Sequence, residues 1–443
     1  MFVRTCRIRW MLGFMVGSLG CAPEASLDAN DNAFAEASAL EAEPDPVMNK
    51  AVFNDPIGTK AAQNAIFIQF ARLIDRVPAG EEIQMSFFGW DPPDTDDTAD
   101  DPDLGARLLA AHARGVRVKV ILDLGNTGNA AHTRLANVLG GDDSKPSYVV
   151  TCNDQFPNGP KRGCIGTRVV TWSDGSKSYA YNHNKFALFS KVALSSGVVS
   201  NVVFQGSSNM GLWDTNESYN NMLTWSDAGT YGAFRTYFED LRRYRRTSGG
   251  NNDYYWATPT GTDYKVHFFP RHERSGQPLD DAASDTVYNA LQSVTSCRYN
   301  DNGVTRQTDV RVAMWAFNRS VVARKLTQLS KAGCWVDVVF SEASDASLNE
   351  LRAAGGPQLT RCNFHVGPGI DVRVHSKYML VDGAYDDDIV PRVFTGSHNY
   401  AYSALRQADE TLVRVMGRAV HTDYLNNFYR LRDTCRARGG IIR

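Results

Sequence analysis

One short motif occurs twice in the chain, and this duplication limits most strongly how the chain can fold. His183 and Lys185 lie in YNHNKFALFS, and His375 and Lys377 lie in VHSKYMLVDG. A Gly-Ser-x-Asn turn follows each copy, as GSSN after the first and GSHN after the second. We therefore predict two similar halves, each carrying half of a site that is complete only when the halves meet.

The segments around the motifs repeat in the same order in both halves. In the first half, an amphipathic helix pattern (AIFIQFARLIDRV) precedes a strand pattern (EIQMSFFGW), then a helix (LGARLLAAHARG) and a buried strand (VRVKVILDL). In the second half, TVYNALQSV, DVRVAMWAF, SVVARKLTQLSKAG and CWVDVVF repeat this order. Helices that alternate with strands predict an α/β fold with a mixed sheet in each half.

The composition gives the expected domain organisation. The chain has 443 residues, of which 43% are hydrophobic, enough for sizeable cores. The N-terminus is basic and then apolar, as is typical of a signal peptide, and Cys21 occupies the position at which a lipoprotein signal would be modified. The acidic, Ala-rich segment that follows predicts a disordered tether. We predict a signal at 1–21, a tether at 22–51, repeat 1 at 52–246, a Gly-rich linker at 247–262 and repeat 2 at 263–443.

Six cysteines follow the predicted signal, and an even number in an exported chain favours disulfides. Cys152 and Cys164 bracket a loop rich in Gly, Pro and Asn and are the expected pair. The other four cysteines allow three pairings that the sequence does not separate. No C-x2-C motif or histidine cluster supports a zinc site, so we predict no metal.

The residue types of the motif suit phosphate chemistry. Side chains alternate along a strand, so His375 and Lys377 share one face, as do His183 and Lys185. Two ammonium groups neutralise a phosphate diester, while one imidazole attacks it and the other protonates the leaving oxygen. The predicted phosphate-binding residues are those of the two turns, Asn209, Asn399, Ser207 and Ser397.

With these motifs the sequence resembles the phospholipase D superfamily, whose signature is a His-x-Lys-x4-Asp motif occurring twice. The resemblance implies two similar α/β/α sandwich repeats with mixed sheets, packed pseudo-symmetrically with the active site at their interface. It also implies a phosphohistidine intermediate, with His183 as nucleophile and His375 as acid and base. Asp382 completes the second motif, whereas Ser190 occupies the matching position of the first.

The family also has a residue beyond each turn that orients a catalytic histidine. Asn221 and Glu410 are the residues predicted for this role. We expect Asn221 to leave His183 less basic, and Glu410 to keep His375 protonated.

The resemblance and the predicted export lead to a functional hypothesis. We expect an exported, metal-independent phosphodiesterase without a cofactor, acting as a monomer on phospholipids or a membrane surface. A nuclease of the same superfamily is the second choice, and the formal net charge of −2 does not favour it. The third choice is a phosphatidyltransferase similar to cardiolipin synthase, and the fourth is a binding protein with a decayed site.

Overall fold

The structure is a computed structural model that describes residues 44–172, 174–260 and 263–443. The predicted signal, and the predicted tether up to residue 43, lie outside the described residues. Residues 44–443 form one compact unit. Its first strand begins at Lys50, two residues before the predicted start of repeat 1.

The first half contains twelve strands and six α-helices among the described residues. The strands are β1 (Lys50–Phe53), β2 (Glu82–Phe87), β3 (Trp90–Asp91), β4 (Arg117–Leu122), β5 (Tyr148–Thr151), β6 (Val169–Thr171), β7 (Lys177–Tyr179), β8 (Lys185–Leu194), β9 (Gly197–Gly206), β10 (Met210–Gly211), β11 (Ser218–Tyr219) and β12 (Asn221–Ser226). The helices are α1 (Lys60–Gln63), α2 (Ala65–Asp75), α3 (Leu104–Ala113), α4 (Ala130–Leu139), α5 (Leu212–Asn216) and α6 (Ala228–Tyr244).

Among the described residues, the second half has as many strands as the first half and one α-helix fewer. Its strands are β13 (Trp256–Ala257), β14 (Tyr264–Phe268), β15 (Arg298–Asp301), β16 (Val304–Gln307), β17 (Asp309–Phe317), β18 (Trp335–Ala343), β19 (Gln358–Arg361), β20 (Asn363–Gly367), β21 (Ile370–Val374), β22 (Lys377–Asp382), β23 (Arg392–Gly396) and β24 (Thr411–Met416). Its helices are α7 (Thr286–Gln292), α8 (Ser320–Lys331), α9 (Asp345–Arg352), α10 (Tyr402–Arg406) and α11 (Arg418–Ala437).

Each half builds one large mixed sheet. The first has the order β1-β12-β9-β8-β2-β4-β5, and the second has the order β13-β14-β24-β23-β22-β17-β18-β19. In both sheets three strands pair in parallel (β2-β4-β5 and β17-β18-β19), and the others join antiparallel. The two motif strands, β8 and β22, therefore occupy equivalent central positions.

Three clusters of buried side chains explain how the sheets stack. One cluster joins the first sheet to α2, α3 and α4, and another joins the second sheet to α7, α8 and α9. The third lies between the two sheets and includes the apolar faces of the long helices α6 and α11. This layering confirms the predicted pair of α/β/α sandwich repeats with mixed sheets, packed with their motif strands facing a shared seam.

Two segments differ in detail from a simple pair of repeats. Trp256 and Ala257, inside the predicted linker, form an edge strand that pairs with Phe268 and His267. In the first half, the long insertion before His183 contains the β6-β7 hairpin.

Three disulfides cross-link the described chain. The expected Cys152–Cys164 bond is present and closes the insertion of the first half. The remaining pairs, which the sequence left open, are Cys297–Cys334 and Cys362–Cys435. The last bond ties the C-terminal helix α11 to the turn after β19.

Candidate functional site

The main chain of each half holds the motif histidine of the other half. The amide of His183 donates to the carbonyl of Asp409 at 2.9 Å, and the amide of His375 donates to the carbonyl of Tyr219 at 2.9 Å. The segment before His375 also pairs in parallel with β11. Both histidines therefore lie at the seam, and each depends on a segment of the other half that is more than 150 residues away in the chain.

Glu410 contacts His183 rather than His375. The Nδ1 atom of His183 lies 2.8 Å from Oε1 of Glu410. The other carboxylate oxygen accepts a hydrogen bond from the hydroxyl of Ser397, and the Glu410 side chain is fully buried. This buried acid group fixes the orientation of the His183 ring, and in its charged form it favours positive charge on the ring. Burial raises the pKa of Glu410 well above its usual value, while the charges of Lys185 and Lys377 oppose the rise.

Asn220 takes the equivalent place beside His375. Nδ1 of His375 lies 2.9 Å from Oδ1 of Asn220. The amide nitrogen of Asn220 donates to the hydroxyl of Ser218 and to the carbonyl of Asp214, which fixes the amide orientation. Because an amide oxygen only accepts, Nδ1 of His375 must carry the proton, and Nε2 is the reactive nitrogen.

The prediction for Asn221 is therefore wrong, and the predicted pairing of Glu410 is reversed. Asn221 donates to the hydroxyls of Thr395 and Tyr424, at 2.8 and 3.1 Å, and contacts neither motif histidine. A signal was present in the sequence, because Asn220 follows Ser207 by the same thirteen residues that separate Glu410 from Ser397. Asn221 is one place out of this register.

Ser207 and Ser397 have a different role from the predicted phosphate binding. The hydroxyl of Ser207 donates to Oδ1 of Asn220 at 2.8 Å, and that of Ser397 donates to Glu410. Both serines are buried. Each serine fixes the group that orients the histidine of the opposite half.

Both motif lysines are buried at the seam. Nζ of Lys185 donates to the carbonyl of His183 at 3.0 Å, and Nζ of Lys377 donates to that of His375 at 2.6 Å. Burial lowers the pKa of Lys185 to about 8, opposed by the charges of Glu410 and Asp214. Burial, and then the charge of Lys185, lower the pKa of Lys377 well below its usual value.

Contacts across the seam bring the four motif side chains into one buried region, in which the charges of both lysines act on both histidines. Burial lowers the pKa of His183 well below its usual value, and the charges of Lys185, Lys377 and His375 lower it further. Burial and the same two lysines lower the pKa of His375. Converging cations in a buried place form a site in which an anion is strongly favoured.

Asp214 is a site residue that the sequence analysis missed. Its Oδ1 atom lies 3.6 Å from Nδ1 of His375 and accepts a hydrogen bond from the amide of Asn209. Burial raises the pKa of Asp214 to about 6. Asp214 lies only five residues beyond Asn209 in the sequence, but no motif marks it.

The two turn asparagines lie at the seam with different contacts. Oδ1 of Asn209 accepts from the amide of Gly89 at 3.1 Å. Oδ1 of Asn399 is buried and has no hydrogen-bond partner among the described residues. A donor such as a water molecule would satisfy this oxygen, whereas a phosphate oxygen could accept a hydrogen bond only from the Nδ2 atom of Asn399.

Asp382, which the resemblance places in the predicted catalytic set as the last residue of the second motif, contacts none of the four motif side chains among the described residues. It is the last residue of the central strand β22 and forms an ion pair with Arg418. Ser190, at the matching place, donates to Glu81 and accepts from the amide of Glu82, at 2.7 and 2.8 Å. Both positions fix a strand end by contacts to neighbouring elements.

Aromatic side chains form the walls beside both histidines. The Phe88 and Tyr181 rings lie 5.0 and 5.4 Å from that of His183. The corresponding rings beside His375 are those of Trp213 and Trp315, at 5.0 and 5.3 Å. We call these four side chains the aromatic walls.

An acidic segment and an exposed leucine border the aromatic walls. Phe88 is 36% exposed and Leu212, next to Trp213, is 51% exposed. Leu212 lines a surface cavity together with Asp94, Asp96 and Asp101. This cavity also contains Lys60, so it is apolar with three carboxylates and one ammonium group, and Arg373 lies over the ring of Trp315 at 5.8 Å.

Asp409 connects the disulfide-closed insertion to the site. Its carboxylate accepts from the amides of Cys164, Ile165 and Gly166, with the shortest contact to each at 2.6, 3.1 and 2.7 Å. Burial raises the pKa of Asp409 to about 7, while these hydrogen bonds oppose the rise. The insertion thus supports the strand segment that carries Glu410.

Among the described residues, one group of three side chains has the spacing of metal ligands. It consists of Cys152, Cys164 and Asp409. Its two cysteines are joined in a disulfide, and the carboxylate is occupied by three amides. This donor set does not fit a metal ion, and the predicted absence of a metal in the site stays a prediction.

A family model described as cardiolipin synthase, PLD-like domain, matches residues 78–242 and 305–432, well over half of the chain. The matched ranges contain both motifs and both turns. No curated protein matches the sequence.

The fold is similar to several solved structures. Phosphatidylserine synthase from Haemophilus influenzae Rd KW20 is 12% identical, with a TM-score of 0.53 and coverage of 90% of each chain. Polyphosphate kinase from Porphyromonas gingivalis is 11% identical, with a TM-score of 0.49; the match covers 85% of this chain and 49% of the kinase, so the chain spans about half of its length. Nuc from Salmonella typhimurium, a phospholipase D family member, is 17% identical, with a TM-score of 0.28 and coverage of 44% of this chain and 93% of Nuc.

Proposed function

Because the chain belongs to the phospholipase D-like family, we propose that it is a metal-independent phosphodiesterase that hydrolyses phospholipids through a phosphohistidine intermediate. The observation that carries the proposal is the convergence of His183, Lys185, His375 and Lys377 on one buried site. Family members act on phosphodiester bonds, and this site has the groups that such a reaction needs.

The first step forms the covalent intermediate. Nε2 of His183 attacks the phosphorus atom, and the bond from phosphorus to the head-group oxygen breaks. For this step His375 must be an imidazolium with a proton on each nitrogen, a form that the negative charge of the bound phosphate favours against the effect of burial. Nε2 then gives its proton to the leaving oxygen, so the head group leaves as an alcohol. Lys185 and Lys377 balance the negative charge on the phosphate oxygens.

The second step releases the product. His375, now neutral, takes a proton from water, and the water oxygen attacks phosphorus as the bond to His183 breaks. The products are a phosphate monoester and a free imidazole at His183. If an alcohol replaces water in this step, the same site transfers the phosphatidyl group instead.

The unequal partners of the two histidines support this division of roles. His183 becomes positively charged when it bonds to phosphorus, and the adjacent carboxylate of Glu410 stabilises that charge. Asn220 carries no charge and therefore holds the proton of His375 less firmly, as suits a proton donor. The sequence predicted His183 as the nucleophile because a neutral Asn221 would leave it less basic. In this proposal the reason is instead the negative charge of Glu410 beside it.

The rim favours a phospholipid over a nucleic acid. The exposed side chains of Phe88 and Leu212 are suited to contact acyl chains at a membrane surface. The cavity beside Leu212 holds three carboxylates against one ammonium group, that of Lys60, and this excess of negative charge disfavours the closely spaced phosphates of DNA or RNA. These features support the lipid substrate and count against the nuclease hypothesis.

Export and a monomeric state belong to the same proposal. Three disulfides in the described chain are typical of a protein that folds in an oxidising compartment. No helix among the described residues has the length and hydropathy needed to cross a bilayer. Anchoring through Cys21 remains a prediction, because that residue lies outside the described part of the chain.

The test is a side-by-side assay of the purified protein with and without EDTA. Its substrates are phosphatidylcholine vesicles, single-stranded DNA and double-stranded DNA. We expect choline release that EDTA does not change, and no cleavage of DNA. DNA cleavage without choline release would replace the proposal with the nuclease hypothesis, and loss of turnover in EDTA would contradict the metal-free mechanism.

A further inference from the structure

We propose that the second half carries a separate binding site for a phosphate monoester, in a cavity of about 190 Å³ between its sheet and helix α7. Four side chains that carry the proposal line this cavity: Lys265, His267, Arg271 and Arg414. None of them belongs to the motifs or contacts the motif histidines among the described residues. The proposal goes beyond the diesterase function and does not depend on it.

The cavity lies on the outer face of the second sheet. Lys265 and Arg414 are directly paired across β14 and β24, so their side chains project from the same face. Their neighbours along the strands, Val266 and Val413, pack instead into the cluster between the two sheets. The cavity is therefore on the opposite side of the sheet from the inner core.

Positive charge exceeds negative charge in this cavity. Lys265 forms no ion pair within the described part of the chain. Arg271 lies over the ring of Tyr255 at 4.3 Å and donates to the hydroxyl of Thr286 at 3.2 Å, with no carboxylate partner in the described ranges. Asp386 is the one carboxylate among the residues that line the cavity.

The cations also repel each other. Burial, and then the charge of Arg414, lower the pKa of Lys265, while Asp386 acts in the opposite direction. A bound anion would offset this repulsion. Binding would therefore lower the electrostatic free energy of the closely placed cations.

His267 adds a neutral hydrogen-bonding group. Burial lowers its pKa to about 3, so the ring is uncharged near neutral pH. The hydroxyl of Tyr255 lies 2.9 Å from its Nδ1 atom, which leaves Nε2 as the nitrogen that meets a ligand. A planar guanidinium, an ammonium and an imidazole together suit the several oxygens of a phosphate group.

The size of the cavity limits the ligand. A volume of about 190 Å³ accepts a phosphate group with a short substituent, but not a nucleic-acid strand. The phosphate monoester comes either from solution or from the head group of a lipid such as phosphatidic acid. Both sources present the same dianion.

The experiment is a calorimetric titration of the whole protein with inorganic phosphate and then with glycerol phosphate, in chloride buffer. The cavity variant is Lys265→Gln/Arg271→Gln. The matched control is Lys60→Gln/Lys191→Gln, which removes two cations that pair with Asp101 and Glu81 elsewhere. Because the motif lysines also bind phosphate, we expect two binding events in the wild type and the control.

In the cavity variant we expect one event to be lost, or weakened at least about tenfold, while diesterase turnover is retained. Lys265→Arg, which keeps the charge, should keep both events, so a folding defect is distinguishable from lost binding. Flotation with phosphatidylcholine vesicles, with and without phosphatidic acid, shows whether a lipid-borne phosphate also binds at this cavity. Unchanged binding of all phosphate probes in the cavity variant would overturn the proposal, whatever the outcome for the diesterase.

Discussion

At the residue scale, corresponding hydrogen bonds hold the Nδ1 atoms of the two histidines, and these hydrogen bonds differ in one pair of side chains. Each Nδ1 atom contacts an oxygen from the opposite half, and each of those oxygen-bearing groups is fixed by a turn serine. The difference is that Glu410 is a carboxylic acid and Asn220 is an amide. In the proposed mechanism, this difference suits His183 to act as the nucleophile and His375 to act as the proton donor.

Glu410→Gln should lower kcat about a hundredfold, because the positive charge on His183 loses its buried carboxylate. The acidic limb of the kcat/KM profile should also move to lower pH, which a purely structural defect would not cause. Asn221→Ala is the matched control, since Asn221 contacts Thr395 and Tyr424 instead of a motif histidine. It should lower the free energy of unfolding by about 1 kcal/mol and leave kcat nearly unchanged; a larger loss of kcat than in Glu410→Gln would contradict the pairing.

The pH profile tests the buried lysine. Burial lowers the pKa of Lys185 to about 8, so its charge is present below that pH and lost above it. We therefore expect kcat/KM to fall as pH rises from about 8 to about 9.5, since the site then loses attraction for the phosphate. Lys191→Gln, on the same strand but exposed and paired with Glu81, should show the same fall as the wild type. A profile that stays flat to pH 9.5 in the wild type would rule out this role of Lys185.

At the element scale, the strand segment carrying Glu410 depends on the insertion of the other half. Asp409 accepts three amide hydrogen bonds from residues 164–166, and its carbonyl accepts from His183. The Cys152–Cys164 disulfide closes the same insertion. The insertion is thus a support for the site rather than a passive connection.

Asp409→Ala should lower the free energy of unfolding by about 3 kcal/mol, because three buried amides lose their acceptor. Asp409→Asn keeps one acceptor oxygen and should have a smaller effect. Urea unfolding measures both, with Asp382→Ala as the control, since that carboxylate pairs with Arg418 at a partly exposed strand end. Equal stability of Asp409→Ala and the wild type would mean that the insertion is held by other contacts.

The sequence predicted the elements better than the contacts between them. Periodicity identified the motif strands and the helices around them, because each pattern depends on residues that are close in the chain. The partners of the histidines were assigned wrongly, since Glu410 and Asn220 reach across the seam to the other half. Asp214 carried no signal at all, because its place beside His375 results from the packing of α5.

At the scale of the whole molecule, the site exists only where the two halves meet. The inner core between the sheets combines residues of both, including the faces of α6 and α11. Each histidine takes its orienting group and its main-chain support from the opposite half. Neither half alone holds a complete reaction centre.

Mixing two inactive variants tests whether one chain forms the whole site. His183→Ala and His375→Ala should each abolish diesterase turnover while retaining the fold, because each removes one of the two required imidazoles. In a monomer, an equimolar mixture of the two variants should remain inactive. Recovery of a large part of the activity would show that the site forms between chains; circular dichroism of each variant serves as the folding control.

The most direct test of the account is to trap the covalent intermediate in His375→Asn with a p-nitrophenyl phosphodiester. Nitrophenolate leaves without a proton donor, whereas release of the intermediate still requires the base that this variant lacks. The account predicts one burst of nitrophenolate per protein and an acid-labile phosphate adduct on the peptide that contains His183, as measured by mass spectrometry. An adduct on any other residue, or steady turnover with no adduct, would contradict it.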